Sequence, residues 1–302
     1  MALHYRDIVH PEDEKALRQL QNTAGVQILA EKIISIEAEN LFYRQYLAEY
    51  IKIGPNQFSD IYDIFIPIVQ KLGITEPEIF LTGGTEAFTM GDKKPIIVIG
   101  TSILCLPPEE RDAVIAHECG HILCKHMLYK TVLRVLFMML DPQKLMNVGL
   151  GGLAMFTGPV LQAAIYAANY WSRRSEYSAD RVAALYSSPD ALKRALLRIK
   201  YGSLVDGLNF NEFVKQSEKI EIEKEESVLG KIINSILVSS RTHPFDGIRV
   251  NEISLWGNSA QFRMAAEKLN TPQTTLQASV CPNCKRDIEN NWKFCNHCGQ
   301  KL

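Results

Sequence analysis

Apolar residues recur at helical spacing through residues 12–50, at Leu17, Leu20, Ile28, Leu29 and Ile33 and then in an aromatic-rich run over 41–50. The pattern predicts one or two packing helices that stop at Gly54-Pro55. Residues 61–72 continue the helical period, Gly73 and Pro77 punctuate it, and residues 78–81 read as a short strand before Gly83-Gly84. Residues 95–100 form a second expected strand. Pro107-Pro108 followed by Glu109 and Glu110 marks a helix start, because acidic side chains are favoured at the positive end of the helix dipole. An amphipathic helix is predicted from there to about Lys130, and another over 173–201. Residues 215–226 are charge-dense and read as a solvated helix face or loop; residues 271–278, polar with one proline, read as a linker. The expected organisation is an N-terminal helical region (1–56), a main domain (57–270) with an apolar helical insertion at about 127–172, the linker, and a small tail (279–302).

Composition narrows the class. The 302 residues carry 33 Lys and Arg against 34 Asp and Glu, a formal charge of -1, so binding to nucleic acid or an anionic membrane by bulk charge is excluded. The first twenty residues lack an apolar core behind a basic start, so no secretory signal is expected and the setting is read as intracellular and cytoplasmic. Four of the seven cysteines fall in the last 22 residues as two C-x-x-C pairs, the usage of a metal site rather than a disulfide framework.

The main candidate chemistry lies in His117-Glu118-Cys119-Gly120-His121, an H-E-x-x-H sequence within the helix that starts near Pro108. Histidines four apart share one helix face, about 6 Å apart along the axis, so both imidazoles can reach one zinc ion. Glu118 beside them can take a proton from an attacking water and deliver it to a leaving amine. A catalytic zinc needs a third protein ligand. Glu176 and Asp180, four apart on a predicted helix, offer two carboxylates on one face; either can bind the metal while the other accepts a ligand histidine's N–H.

Further segments accompany this motif in order: residues 86–91, the strand 96–100, residues 106–110 and 113–121, then 174–181, and Arg241-Thr242-His243-Pro244 with Arg249. Over about residues 60–255 the chain resembles the HtpX-like and CAAX-prenyl-protease-type zinc metallopeptidases of the gluzincin group. The resemblance implies an α+β, mostly helical, zincin-like domain with a small sheet and an edge strand, and zinc-dependent endopeptidase activity. It implies His117, His121 and Glu176 as zinc ligands, Glu118 as general base and acid, and Asp180 as the partner of a ligand histidine. His243 would stabilise the oxyanion with Arg249 in support, and Ile96, Ile97, Val98 and Ile99 would form the edge on which an extended substrate pairs. The substrates implied are peptides or unfolded proteins, in quality control or processing near a membrane.

Cys281, Cys284, Cys295 and Cys298 form C-x2-C-x10-C-x2-C, the pattern of a zinc ribbon whose four thiolates close a structural site. So short a module depends on its metal to fold. Two zinc ions per chain are therefore expected, one catalytic and one structural. The ribbon's near-neutral charge suits a protein partner and argues against nucleic acid. A catalytically inert adaptor that recruits partners through the ribbon is the competing reading, opposed by the intact Glu118.

Residues 145–172 hold no charged side chain and could meet a membrane. A single crossing would separate His117 and His121 from Glu176. The only partner segment, 127–140, is shorter than the roughly 20 residues of a spanning helix and carries Lys130 and Arg134. A core or peripherally embedded hairpin, broken by Gly149, Gly151, Gly152, Gly158 and Pro159, is the expectation.

Overall fold

The computed structural model describes residues 3–35, 38–140, 158–217, 244–270, 279–280 and 287–288. Where periodicity predicted one or two helices, the chain opens with three, α1 (Pro11–Gln21), α2 (Val26–Ser35) and α3 (Ala38–Glu49). Gly25, at φ 81°, turns the chain between the first two. Then follow β1 (Ile51–Ile53), α4 (Ser59–Leu72), β2 (Glu78–Thr82), β3 (Ala87–Met90) and β4 (Ile96–Gly100).

These strands make one sheet in the order β1-β2-β4-β3, with β2 and β4 parallel and the outer pairs antiparallel. Every residue of β4 is buried. Ile97 and Ile99 face one core with Ile79 and Leu81, while Ile96 and Val98 face a second with Phe80 and Met90. A continuous apolar run is what a strand covered on both faces requires. The expectation that Ile96, Ile97, Val98 and Ile99 form a substrate-binding edge is therefore corrected: β4 is paired on both sides and has no free backbone edge. The strand at the sheet's end beside it is β3, which the sequence pattern did not reveal.

After α5 (Thr101–Leu104) comes α6 (Pro108–Leu123), which stops well short of Lys130. Lys125 adopts a left-handed conformation at φ 61° and the His126 N–H bonds to the His121 carbonyl at 3.0 Å, a Schellman-type stop that starts α7 (Met127–Met138) in a new direction. The expected helix over 173–201 is likewise two. It comprises the end of α8 (Gly158–Tyr186) and all of α9 (Pro189–Tyr201), divided where Ser188 caps the Ala191 N–H and Pro189 takes the first helical position. α10 (Asp246–Gly257) and α11 (Ala260–Asn270) complete the domain, and β5 (Ser279–Val280) pairs antiparallel with β6 (Asp287–Ile288).

The α+β, mostly helical fold with a small sheet is as expected. β1 joins the sheet and α1 packs along α8, so the region before residue 56 shares its core with the rest. Among the described residues no helix is long and apolar enough to cross a membrane. Residues 141–157, 271–278 and Cys281, Cys284, Cys295 and Cys298, expected to form a zinc ribbon, lie outside the described residues.

Candidate active site

α6 runs through the interior, and residues 113–121 are all buried. Its tightest neighbour is α8. At Gly120 an added Cβ would lie 3.0 Å from both Ala179 Cα and Val182 Cβ, so the glycine permits the close approach that sets Glu176 against the two histidines.

The His117 and His121 rings stand 4.9 Å apart and nearly perpendicular. Glu176, fully buried on α8, places Oε2 3.3 Å from His117 Nε2 and Oε1 3.4 Å from His121 Nε2. One ligand atom from each residue lies within 4.8 Å of the other two. Two imidazole nitrogens and a carboxylate oxygen converging in this way fit the donor set of a zinc ion. Two cations flank the carboxylate: Lys130 Nζ at 2.8 Å from Oε1 and Arg249 Nη2 at 3.9 Å from Oε2.

Behind His117, Asp180 Oδ1 lies 3.0 Å from Nδ1, off the line of a good hydrogen bond, so the attraction is chiefly electrostatic. Arg249 donates to Asp180 through Nε at 2.8 Å and Nη2 at 2.5 Å. Burial pushes the Asp180 carboxyl up, but Arg249 and His117 outweigh it and hold it below the ordinary range. Burial opposes a charge on His117, yet Asp180 and Glu176 lift it to about 9. His121, buried and facing Lys130, is held well below the usual histidine range.

Behind His121 a second chain of contacts begins. His121 Nδ1 lies 2.9 Å from His126 Nδ1, and His126 Nε2 lies 2.9 Å from Asp13 Oδ2. Asp13 also accepts from Ser178 Oγ at 2.5 Å and Trp171 Nε1 at 3.1 Å. Neither Asp13 nor His126 was found from the sequence. His126 follows the motif by five residues, the one local hint; Asp13 is 113 residues from His126 and carries no spacing signal.

Glu118 is held by the edge strand: Thr89 Oγ1 lies 2.6 Å from its Oε2 and 3.1 Å from its backbone oxygen. A cavity of about 210 Å³ opens beside these groups, lined by His117, Glu118 and Glu176 together with the apolar Val114, Leu192 and Leu196. The structure thus brings together His117, Glu118, His121, Glu176, Asp180 and Arg249 from α6, α8 and α10. His243 lies outside the described residues, immediately before the segment that enters α10.

The profile of peptidase family M48 matches residues 55–256. A relative in Arabidopsis thaliana, "Plastoglobule-localized metallopeptidase 48, chloroplastic", is 25% identical over 276 residues, covering 89% of this chain and 77% of that protein. No solved structure matches significantly.

Proposed function

The chain belongs to peptidase family M48, and from that premise we propose that it is a zinc-dependent endopeptidase acting on peptides or unfolded proteins. The observation that carries this reading is the convergence of His117, His121 and Glu176 within 4.8 Å, with Glu118 lining the same cavity. A zinc ion held by these three supplies a Lewis acid that polarises the scissile carbonyl and acidifies the attacking water. Glu118 takes the proton from that water and returns it to the leaving amine. Thr89 keeps the carboxylate aimed while it waits. Asp180, gripped by Arg249, orients His117. His243 is assigned the oxyanion, on the family resemblance.

The substrate backbone is assigned to the outer edge of β3, which among the described residues pairs with β4 on one side only and whose Ala87 lines the cavity. Val114, Leu192 and Leu196 would then receive an apolar substrate side chain. Cys281, Cys284, Cys295 and Cys298 are assigned a structural zinc in a ribbon that docks a protein partner; the pairing of β5 with β6 on either side of residues 281–286 supports it. Peripheral membrane contact through 145–172 is supported by Phe137 on α7, Leu140 in the turn after it, and Val160 and Tyr166 on α8, which lie exposed on either side of 141–157; a role in intracellular quality control or processing rests on the family resemblance.

The test is cleavage of an unfolded protein by the full chain beside Glu118→Gln at equal zinc loading. Loss of cleavage with zinc retained is expected. No cleavage by either protein, with zinc bound at the site, would transfer the assignment to an inert adaptor.

A further inference from the structure

The His126–Asp13 pair serves no step above, and its place in the fold asks for a role. A histidine that binds metal through Nε2 must keep its proton on Nδ1, and that N–H needs an acceptor. For His117 the carboxylate of Asp180 stands beside that nitrogen at 3.0 Å, attracted to it by charge. For His121 the neighbour is another imidazole, His126 Nδ1 at 2.9 Å. That nitrogen accepts only when the His126 proton sits on Nε2, where Asp13 Oδ2 stands 2.9 Å away to receive it.

The direction of the chain is set at its far end. The Trp171 indole N–H can only donate, and it points at Asp13 Oδ1 at 3.1 Å; Ser178 Oγ adds a second donor at 2.5 Å. These two donors suit an ionised carboxylate, which can only accept, so the remaining contact is satisfied when His126 donates to it. All the groups are buried, with Asp13 and His126 each 2% exposed. α1 is also fixed in position relative to Glu176. The His10 N–H bonds to Ser178 Oγ at 3.0 Å, and Arg181 Nη1 reaches the carbonyls of Ile8 and Val9 at 3.2 and 3.3 Å.

We propose that His126 and Asp13 form a buried relay that fixes the metal-binding tautomer of His121, making helix α1 a positioning part of the metal centre although it lies before the family-matched region. Both candidate histidine ligands then end on a carboxylate, His117 directly and His121 through one intervening imidazole. The inference rests on the zinc reading above.

Asp13→Asn tests it, because an amide can donate to His126 Nε2, reverse the relay and leave His121 Nε2 protonated. Zinc affinity of the full chain is measured by competition with a chromophoric chelator, the site's share being the difference from His117→Ala, and Co2+ loading reports the ligand field. Asp13→Asn is expected to bind about 10–100-fold more weakly at this site, and Glu14→Gln, an exposed position on the same helix outside the relay, within about threefold of wild type by the same comparison. Nitrogen-15 shifts of the zinc-loaded wild type should show His121 protonated on Nδ1 and His126 neutral and protonated on Nε2. Unchanged affinity in folded Asp13→Asn, or a His126 proton on Nδ1, overturns the relay; the wild-type shifts decide should the variant not fold. A wild type that binds no more zinc than His117→Ala overturns the zinc reading itself.

Discussion

Arg249→Met isolates the energetics of the site. The guanidinium is 6% exposed and makes two charge-assisted bonds to Asp180, itself 2% exposed. Methionine fills similar space and leaves the carboxylate with His117 as its facing partner. Removing one member of a buried pair costs about 3–5 kcal/mol, because the remaining charge stays desolvated. That is a large share of a total stability of about 5–15 kcal/mol, and at about 2–4 °C per kcal/mol it lowers Tm by roughly 6–20 °C. Calorimetry at pH 7 with chelator present would measure Arg249→Met, Asp180→Asn and the double variant. The double variant should recover most of the loss, since the carboxylate that Arg249 neutralised is gone while Glu176 remains to face His117 and Lys130. A loss under about 1 kcal/mol for Arg249→Met, or a double variant no better than the single one, would refute the argument.

Gly120→Ala should cost about 1–3 kcal/mol and weaken zinc binding, because the new methyl meets the backbone at Ala179 and moves α8 off α6; chelator competition reads the second effect. In the metal-free protein, His117 is lifted from 6.5 to about 9 while His121 is neutral whether folded or not above pH 6.5. His117 thus contributes stability that is complete below 6.5 and lost as pH rises through 9, on the order of 3 kcal/mol. Urea titrations across that window should show the fall, and zinc or His117→Asn should flatten it. Peptides with Leu or Phe beside the scissile bond should be cut faster than those with Asp or Lys, and Leu196→Trp, which fills the cavity, should raise KM for the apolar series.

The site's core was legible in the sequence because it is local: His117, Glu118 and His121 share one turn, and Glu176 and Asp180 share another. The helix that carries them was legible from Pro108 and the acidic residues after it. Its end was not, because Lys125 is a non-glycine residue in the left-handed region, where sequence signals favour glycine. Ile96–Ile99 misled for a different reason. Continuous apolarity marked a strand correctly, but it also marked burial on both faces, which argues for the centre of a sheet and against its edge. Asp13 gave no warning, since a carboxylate in the first turn of a helix is ordinary there and its burial depends on residues far along the chain.

Asp13 is made 165 residues before Ser178, the hydroxyl that helps to hold it. At about 5–20 residues per second, the first helix leaves the ribosome roughly 10–30 seconds before its resting place exists. A nascent chain ending before α8 carries His117 and His121 without Glu176, and Asp13 without Ser178 or Trp171. On the zinc reading proposed above, metallation is a late event in the life of the molecule, and ribosome-stalled chains cut short of residue 158 should emerge without zinc at this site while released full-length chains acquire it.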